Sequence, residues 1–125
     1  MNQSEPTHPD DARVFDRQAL MEYLDHDLDL FQELVEIFFE ELPGLQSRLQ
    51  QALQREDAPA LRTAAHSLKG SVSQFAAVSA RAEAARLEEL ADQGDLPACR
   101  KALPELLAAV QELASVLQRV RNQDF

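Results

Sequence analysis

The chain has no tryptophan, one cysteine, three glycines and no long apolar run. Each shortage excludes something. With Cys99 alone, neither an intrachain disulfide nor a cysteine metal cluster can form. The longest unbroken apolar stretch is five residues, Leu106 to Val110, too short for a transmembrane helix. The N-terminus lacks the apolar segment of a signal peptide, so a cytoplasmic protein with no membrane role is expected. Three glycines leave no glycine-rich phosphate loop, and nothing points to an ATP site. Twelve basic residues face 22 acids, and the formal charge of −10 argues against nucleic acid and anionic membranes as partners. Acid is itself missing from one stretch. Between Asp57 and Glu83 there is none, while Arg62, Lys69 and Arg81 are present.

What remains is a helical vocabulary. The 125 residues suffice for one domain with one core, and 45% are apolar. Ala, Leu, Glu, Gln and Arg dominate, all strong helix formers. Residues 1–13 are polar and carry Pro6, Pro9, Asp10 and Asp11, which reads as a flexible tail before a helical domain over 14–122. His8 lies in that tail without a role. A short helix is expected from Asp16, its N-cap, to Asp25, with Leu20, Met21 and Leu24 on one side. Too short to stand alone, it should lie as a lid across the end of a bundle. Asp25, Asp27 and Asp29 alternate without the glycine turn or distal glutamate of an EF-hand, so they read as acids favoured at a helix N-terminus.

Three long amphipathic segments frame the rest. The first runs from Leu28 to Gln54, with a stripe of Phe31, Leu34, Val35, Phe38, Leu42, Leu45, Leu49 and Leu53. Ile37 and Phe39 flank the stripe and are assigned to the core, and Pro43 should kink the helix without ending it. Another spans Val78 to Gln93 with Ala80, Ala84, Leu87 and Ala91 on one face, and Gly94 ends it. The last starts at Asp95 and Pro97 and carries Cys99, Leu103, Leu106, Val110, Leu113, Leu117 and Val120, with Pro104 near its start. Cys99 therefore reads as a buried structural thiol. The last stripe would also serve a coiled-coil dimer, but it reads as an antiparallel bundle helix with the same packing, and a monomer is expected. The fold class is all-α: an antiparallel four-helix bundle with a short extra N-terminal helix.

The fourth segment organises the others. Asp57 can cap it, Pro59 suits its first turn, and it should run to Gln74 or Phe75. Leu61, Ala64, Leu68, Val72 and Phe75 fall on one side, and Arg62, His66, Lys69, Gly70 and Ser73 on the other. His66 thus faces solvent. Lys69 and Gly70, at i+3 and i+4, are its neighbours. Gly70 costs a helix interior about 1 kcal/mol against Ala, yet it clears bulk where something large could approach. An imidazole, a fixed cation and a cleared approach are what a phosphoryl acceptor needs. On their own, an exposed His and Lys on a helix read as plain solvated surface.

The string Ala65-His66-Ser67-Leu68-Lys69-Gly70-Ser71 resembles the signature of histidine phosphotransfer (HPt) domains, A-H-x-L-K-G-S. Phe38-Phe39-Glu40-Glu41-Leu42-Pro43, the stretch from Asp57 to Arg62, and Leu87-Glu88 resemble neighbouring parts of the family, and the likeness covers about Phe15 to Val120. The resemblance implies that His66 carries a phosphoryl group between aspartates of response-regulator receiver domains, reacting through Nε2. It implies that Lys69 neutralises phosphoryl oxygens and Gly70 gives clearance, with Arg62, Ser67, Ser73 and Gln74 flanking the partner. No cofactor is expected on this chain. Magnesium belongs to the receiver, and a hybrid histidine kinase joins the receivers as a partner. An imidazole in solvent is partly neutral near pH 7, hence nucleophilic.

Two positions depart from the family. Ala76-Ala77 stand where Gly-Ala is common, and Ala84 where Cys is frequent. If position 76 needs positive φ, alanine is strained there. Three other functions compete. The bundle could be an interaction module without phosphoryl transfer, or the phosphoacceptor part of a chemotaxis-type kinase, which would need further domains. A hydrolase using His66 would need a second catalytic group, and its helix offers no Asp, Glu, Cys or other His.

Overall fold

A computed structural model of the chain describes residues 16–121. The tail expected over residues 1–13, His8, Phe15 and both limits of the expected domain lie outside them. Five helices follow in order: α1 Arg17–Tyr23, α2 Leu28–Gln54, α3 Ala58–Ser73, α4 Val78–Asp92 and α5 Leu96–Arg121. Their ends obey local chemistry. Asp16, Asp27, Asp57 and Asp95 each accept a backbone N–H three residues on, at 3.0–3.1 Å, and so open α1, α2, α3 and α5. Pro59 sits in the first turn of α3, where its missing N–H costs nothing. Pro43 and Pro104 lie inside α2 and α5, which continue through them.

Short turns make α2 to α5 antiparallel neighbours, and they close a ring: α2 packs on α3, α3 on α4, α4 on α5, and α5 back on α2. The core is one continuous cluster running through all four long helices. It holds every predicted position of α4 and α5, including Cys99, and Leu61, Ala64, Leu68, Val72 and Phe75 of the α3 segment. Burial pushes the Cys99 thiol above its ordinary pKa, with Asp95 adding to the rise against Arg100. In α2 the stripe is corrected at its edges. Leu34 and Leu53 are half-buried, and Ala52 takes the buried place one position before Leu53. Ile37, expected in the core, is 43% exposed. It lies beyond Leu34 on the flank of the stripe, where no neighbouring helix covers it. Phe39 is half-buried, edge-on to Phe38 at 5.8 Å and beneath the Arg121 guanidinium at 5.4 Å.

The lid is real. Leu20, Met21 and Leu24 are buried, and burying two leucines is worth about 3–6 kcal/mol, enough to hold a helix of seven residues. A backbone bond from Asp16 N–H to the Ala76 carbonyl, at 3.4 Å, ties the lid to the turn after α3. No described helix is long and apolar enough to cross a membrane.

Candidate functional site

His66 stands at the middle of α3, its side chain 67% exposed. The core stripe of α3 fixes that direction, because Leu61, Ala64, Ala65, Leu68 and Val72 are all buried on the opposite side. The imidazole is not alone. Glu88 of α4 reaches across, and one of its oxygens, Oε2, lies 2.9 Å from His66 Nδ1. The other, Oε1, lies 2.8 Å from Lys69 Nζ. One carboxylate thus holds both groups, half sheltered at 16% exposure. The Lys69 ammonium bond holds the Glu88 carboxyl below its ordinary pKa; burial opposes this and the His66 bond adds to it.

That ionised carboxylate decides the tautomer. It can only accept, so the ring proton of a neutral His66 sits on Nδ1 and donates to Glu88. The lone pair is left on Nε2, on the solvent side. A second contact lies one turn along: Arg62 Nε meets Asp92 Oδ1 at 3.1 Å, both side chains exposed. The acid-free stretch around His66 is therefore not an unopposed cationic face. Carboxylates at 88 and 92, one turn apart on α4, answer Lys69 and Arg62. The His66 helix itself holds no acid, as its sequence requires, and the acid beside His66 comes from the neighbouring helix.

The remaining predicted residues divide along the length of α3. Gly70 is exposed, and a Cβ built there meets nothing within 4 Å, so the fold itself does not require glycine. Gly70, Ser73 and Gln74 line one edge of an open groove of about 630 Å³, whose apolar walls come from Leu20, Leu24, Leu30 and Leu34. Ser73 Oγ donates to the Lys69 carbonyl at 2.6 Å, fixing its hydroxyl along the helix. Ser67 also faces α2, nearer the N-terminal end of α3. The structure thus brings His66 and Lys69 together around Glu88, sets Arg62 a turn away, and places Gly70, Ser73 and Gln74 on the lid side.

A family model described as Hpt domain matches residues 33–122. The chain belongs to the Hpt domain family. It is a histidine phosphotransfer protein of a two-component phosphorelay. Among solved structures, the Hpt fold matches the crystal structure of histidine-containing phosphotransfer protein B (HptB) from Pseudomonas aeruginosa PAO1. The TM-score is 0.82 and the identity 25%, over 95% of this chain and 100% of that one. Comparison with curated proteins gave no match. Hpt proteins are phosphocarriers that work with receiver domains and histidine kinases, and the helical bundle here is the Hpt fold.

Proposed function

We propose that His66 is the phosphoryl carrier and that Nε2 is the bonding atom. The observation that carries this reading is the Glu88 carboxylate shared by His66 Nδ1 and Lys69 Nζ. In the forward step the Nε2 lone pair attacks the phosphorus of a receiver aspartyl phosphate in line. The N–P bond forms as the acyl P–O bond breaks, and the aspartate leaves as carboxylate. The Nδ1 proton stays between the ring and Glu88, so the positive charge growing on the imidazole meets a fixed negative partner. The transition state is loose, so positioning and charge neutralisation do most of the work. Lys69, 27% exposed, is placed to exchange Glu88 for a phosphoryl oxygen. The return step runs the same sequence backwards onto a second receiver.

Gly70, Ser73 and Gln74 border the apolar groove, which suits an apolar helix face of the receiver, and Arg62 and Ser67 flank the His66 site. Magnesium stays with the receiver. With no glycine-rich phosphate loop in the sequence, the chain relies on a charged partner and has no kinase activity of its own.

The test is transfer from a panel of receivers charged with a small phosphodonor, for wild type and His66→Gln. Acid-labile, base-stable label on wild type alone supports phosphohistidine at position 66. No label from any receiver, with the bundle folded, would favour an interaction module.

A further inference from the structure

The basic side chains of the described chain fall into two groups. Arg62, Lys69, Arg86, Arg100 and Arg121 each meet a carboxylate at 2.7–3.2 Å. Arg48, Arg55, Arg81, Lys101 and Arg119 have no carboxylate within 4.0 Å among the described residues. Of these five, Arg48 and Arg55 are the two that line one groove beside α3.

Their placement makes them more than solvated surface. Seven residues apart, Arg48 in α2 and Arg55 at its C-cap, they share one flank. Both line an open groove of about 610 Å³ between α2 and α3, with Ala60, Thr63 and Ser67 along the α3 wall. Glu40 and Glu41 border the adjoining groove that Arg48 also lines, and the two acids next to Arg55 are engaged elsewhere. Asp57, which also borders the groove, caps α3 through the Ala60 N–H at 3.1 Å, and Glu56 holds Arg100 at 2.7 Å. The α3 wall contributes no acid, because none occurs between Asp57 and Glu83. Ser67 follows His66 directly, so the groove reaches the residue beside the phosphoacceptor, on the N-terminal side of Gly70 and Gln74 along α3.

We propose that Arg48 and Arg55 form a cationic subsite that grips carboxylates of the docked receiver and sets which way round it lies on His66. The proposal rests on the phosphotransfer reading above. His66 then lies between two unlike ends: an apolar groove toward the C-terminal turn of α3, and a cationic groove toward its N-terminal turn. A partner with an apolar face on one side of its acidic phosphorylation site and acids on the other fits in one orientation only. Unpaired arginines present forked donors that match carboxylates, and long-range attraction adds to the encounter rate.

The experiment uses the full chain and a receiver that labels wild type. The variant R48E/R55E is compared with K101E/R119E, which makes the same change in net charge on α5, the helix diagonal to α3. R48Q/R55Q, which removes charge without reversing it, guards against a folding defect in the reversal. The reversal should raise the half-saturating receiver concentration about tenfold at low salt with maximal transfer rate unchanged, and the gap should shrink as salt rises. The Gln pair should show a smaller change in the same direction, and the α5 control almost none. Direct labelling of His66 by phosphoramidate should be unaffected in all three. A half-saturation within about twofold of wild type, or an equal rise in the α5 control, overturns the subsite and leaves the phosphotransfer reading intact. If no receiver labels wild type, both fall.

Discussion

At the scale of the residue, Glu88 serves two partners with one carboxylate. It meets His66 at Nδ1 and the Lys69 ammonium at Nζ. Its acidity links it to stability. The folded carboxyl is held below its ordinary value of 4.5, so in that range the unfolded chain binds more protons and stability rises with pH. The contribution is complete above 4.5 and is lost as pH falls through the folded-state value. Glu88→Gln should therefore cost roughly 0.5–1 kcal/mol in urea unfolding near pH 7, and the gap to wild type should close near pH 3. An equal gap at both pH values would mean that Glu88 acts through packing instead. Labelling should slow in the same variant, because an amide accepts the Nδ1 proton without answering charge on the ring. His66, Lys69 and Gly70 were legible in the sequence because they share one helix, where a period of 3.6 settles the face. Glu88 was not. Its role depends on which flank of α4 meets α3 and in what register, and neither follows from the stripe of Ala80, Ala84, Leu87 and Ala91.

At the scale of the element, the turns repeat one device. After α2, Glu56 N–H bonds the Leu53 carbonyl and Asp57 N–H that of Ala52. After α4, Gly94 and Asp95 do the same to Ala91 and Leu90. Both close a helix through a left-handed residue and open the next with an Asp cap, followed by a proline two residues on. Capping residues are local, so four helix starts could be read from the sequence alone. The turn after α3 is different. Ala76 sits at φ 53°, and its carbonyl accepts from Asp16 at the start of the lid. A left-handed alanine has no side-chain hydrogen bond to offset its Cβ clash. The family habit of glycine here has its physical reason in that angle. Ala76→Gly should stabilise the bundle by about 1 kcal/mol and raise the Tm by roughly 4 °C in a calorimetric scan. A lower Tm would show that the strain is smaller than the freedom glycine adds to the unfolded chain.

At the scale of the whole molecule, the bundle presents α3 between α2 and α4 and leaves its centre uncovered. The sequence made the four stripes plain, but not which flanks stay bare once the ring closes. Ile37 shows why: hydrophobicity put it inside, whereas the ring leaves the flank of α2 beside the lid groove without a neighbour. Leu30, 37% exposed, and half-buried Leu34 share that flank, so the three form an apolar edge at helical spacing. This edge continues the groove wall away from the lid. If a receiver buries it, Ile37→Asp puts a charge where apolar contact is needed while leaving the core untouched. Stability should stay within about 0.5 kcal/mol of wild type, since the position is exposed. Transfer from a receiver should require roughly tenfold more receiver for half-saturation, as for a truncated interface anchor. Phosphoramidate should still label His66 at the wild-type rate, because the imidazole, Glu88 and Lys69 are untouched. Transfer unchanged by Ile37→Asp would place the docked partner nearer α4, over Arg62 and Asp92, and leave the apolar edge of α2 outside the interface.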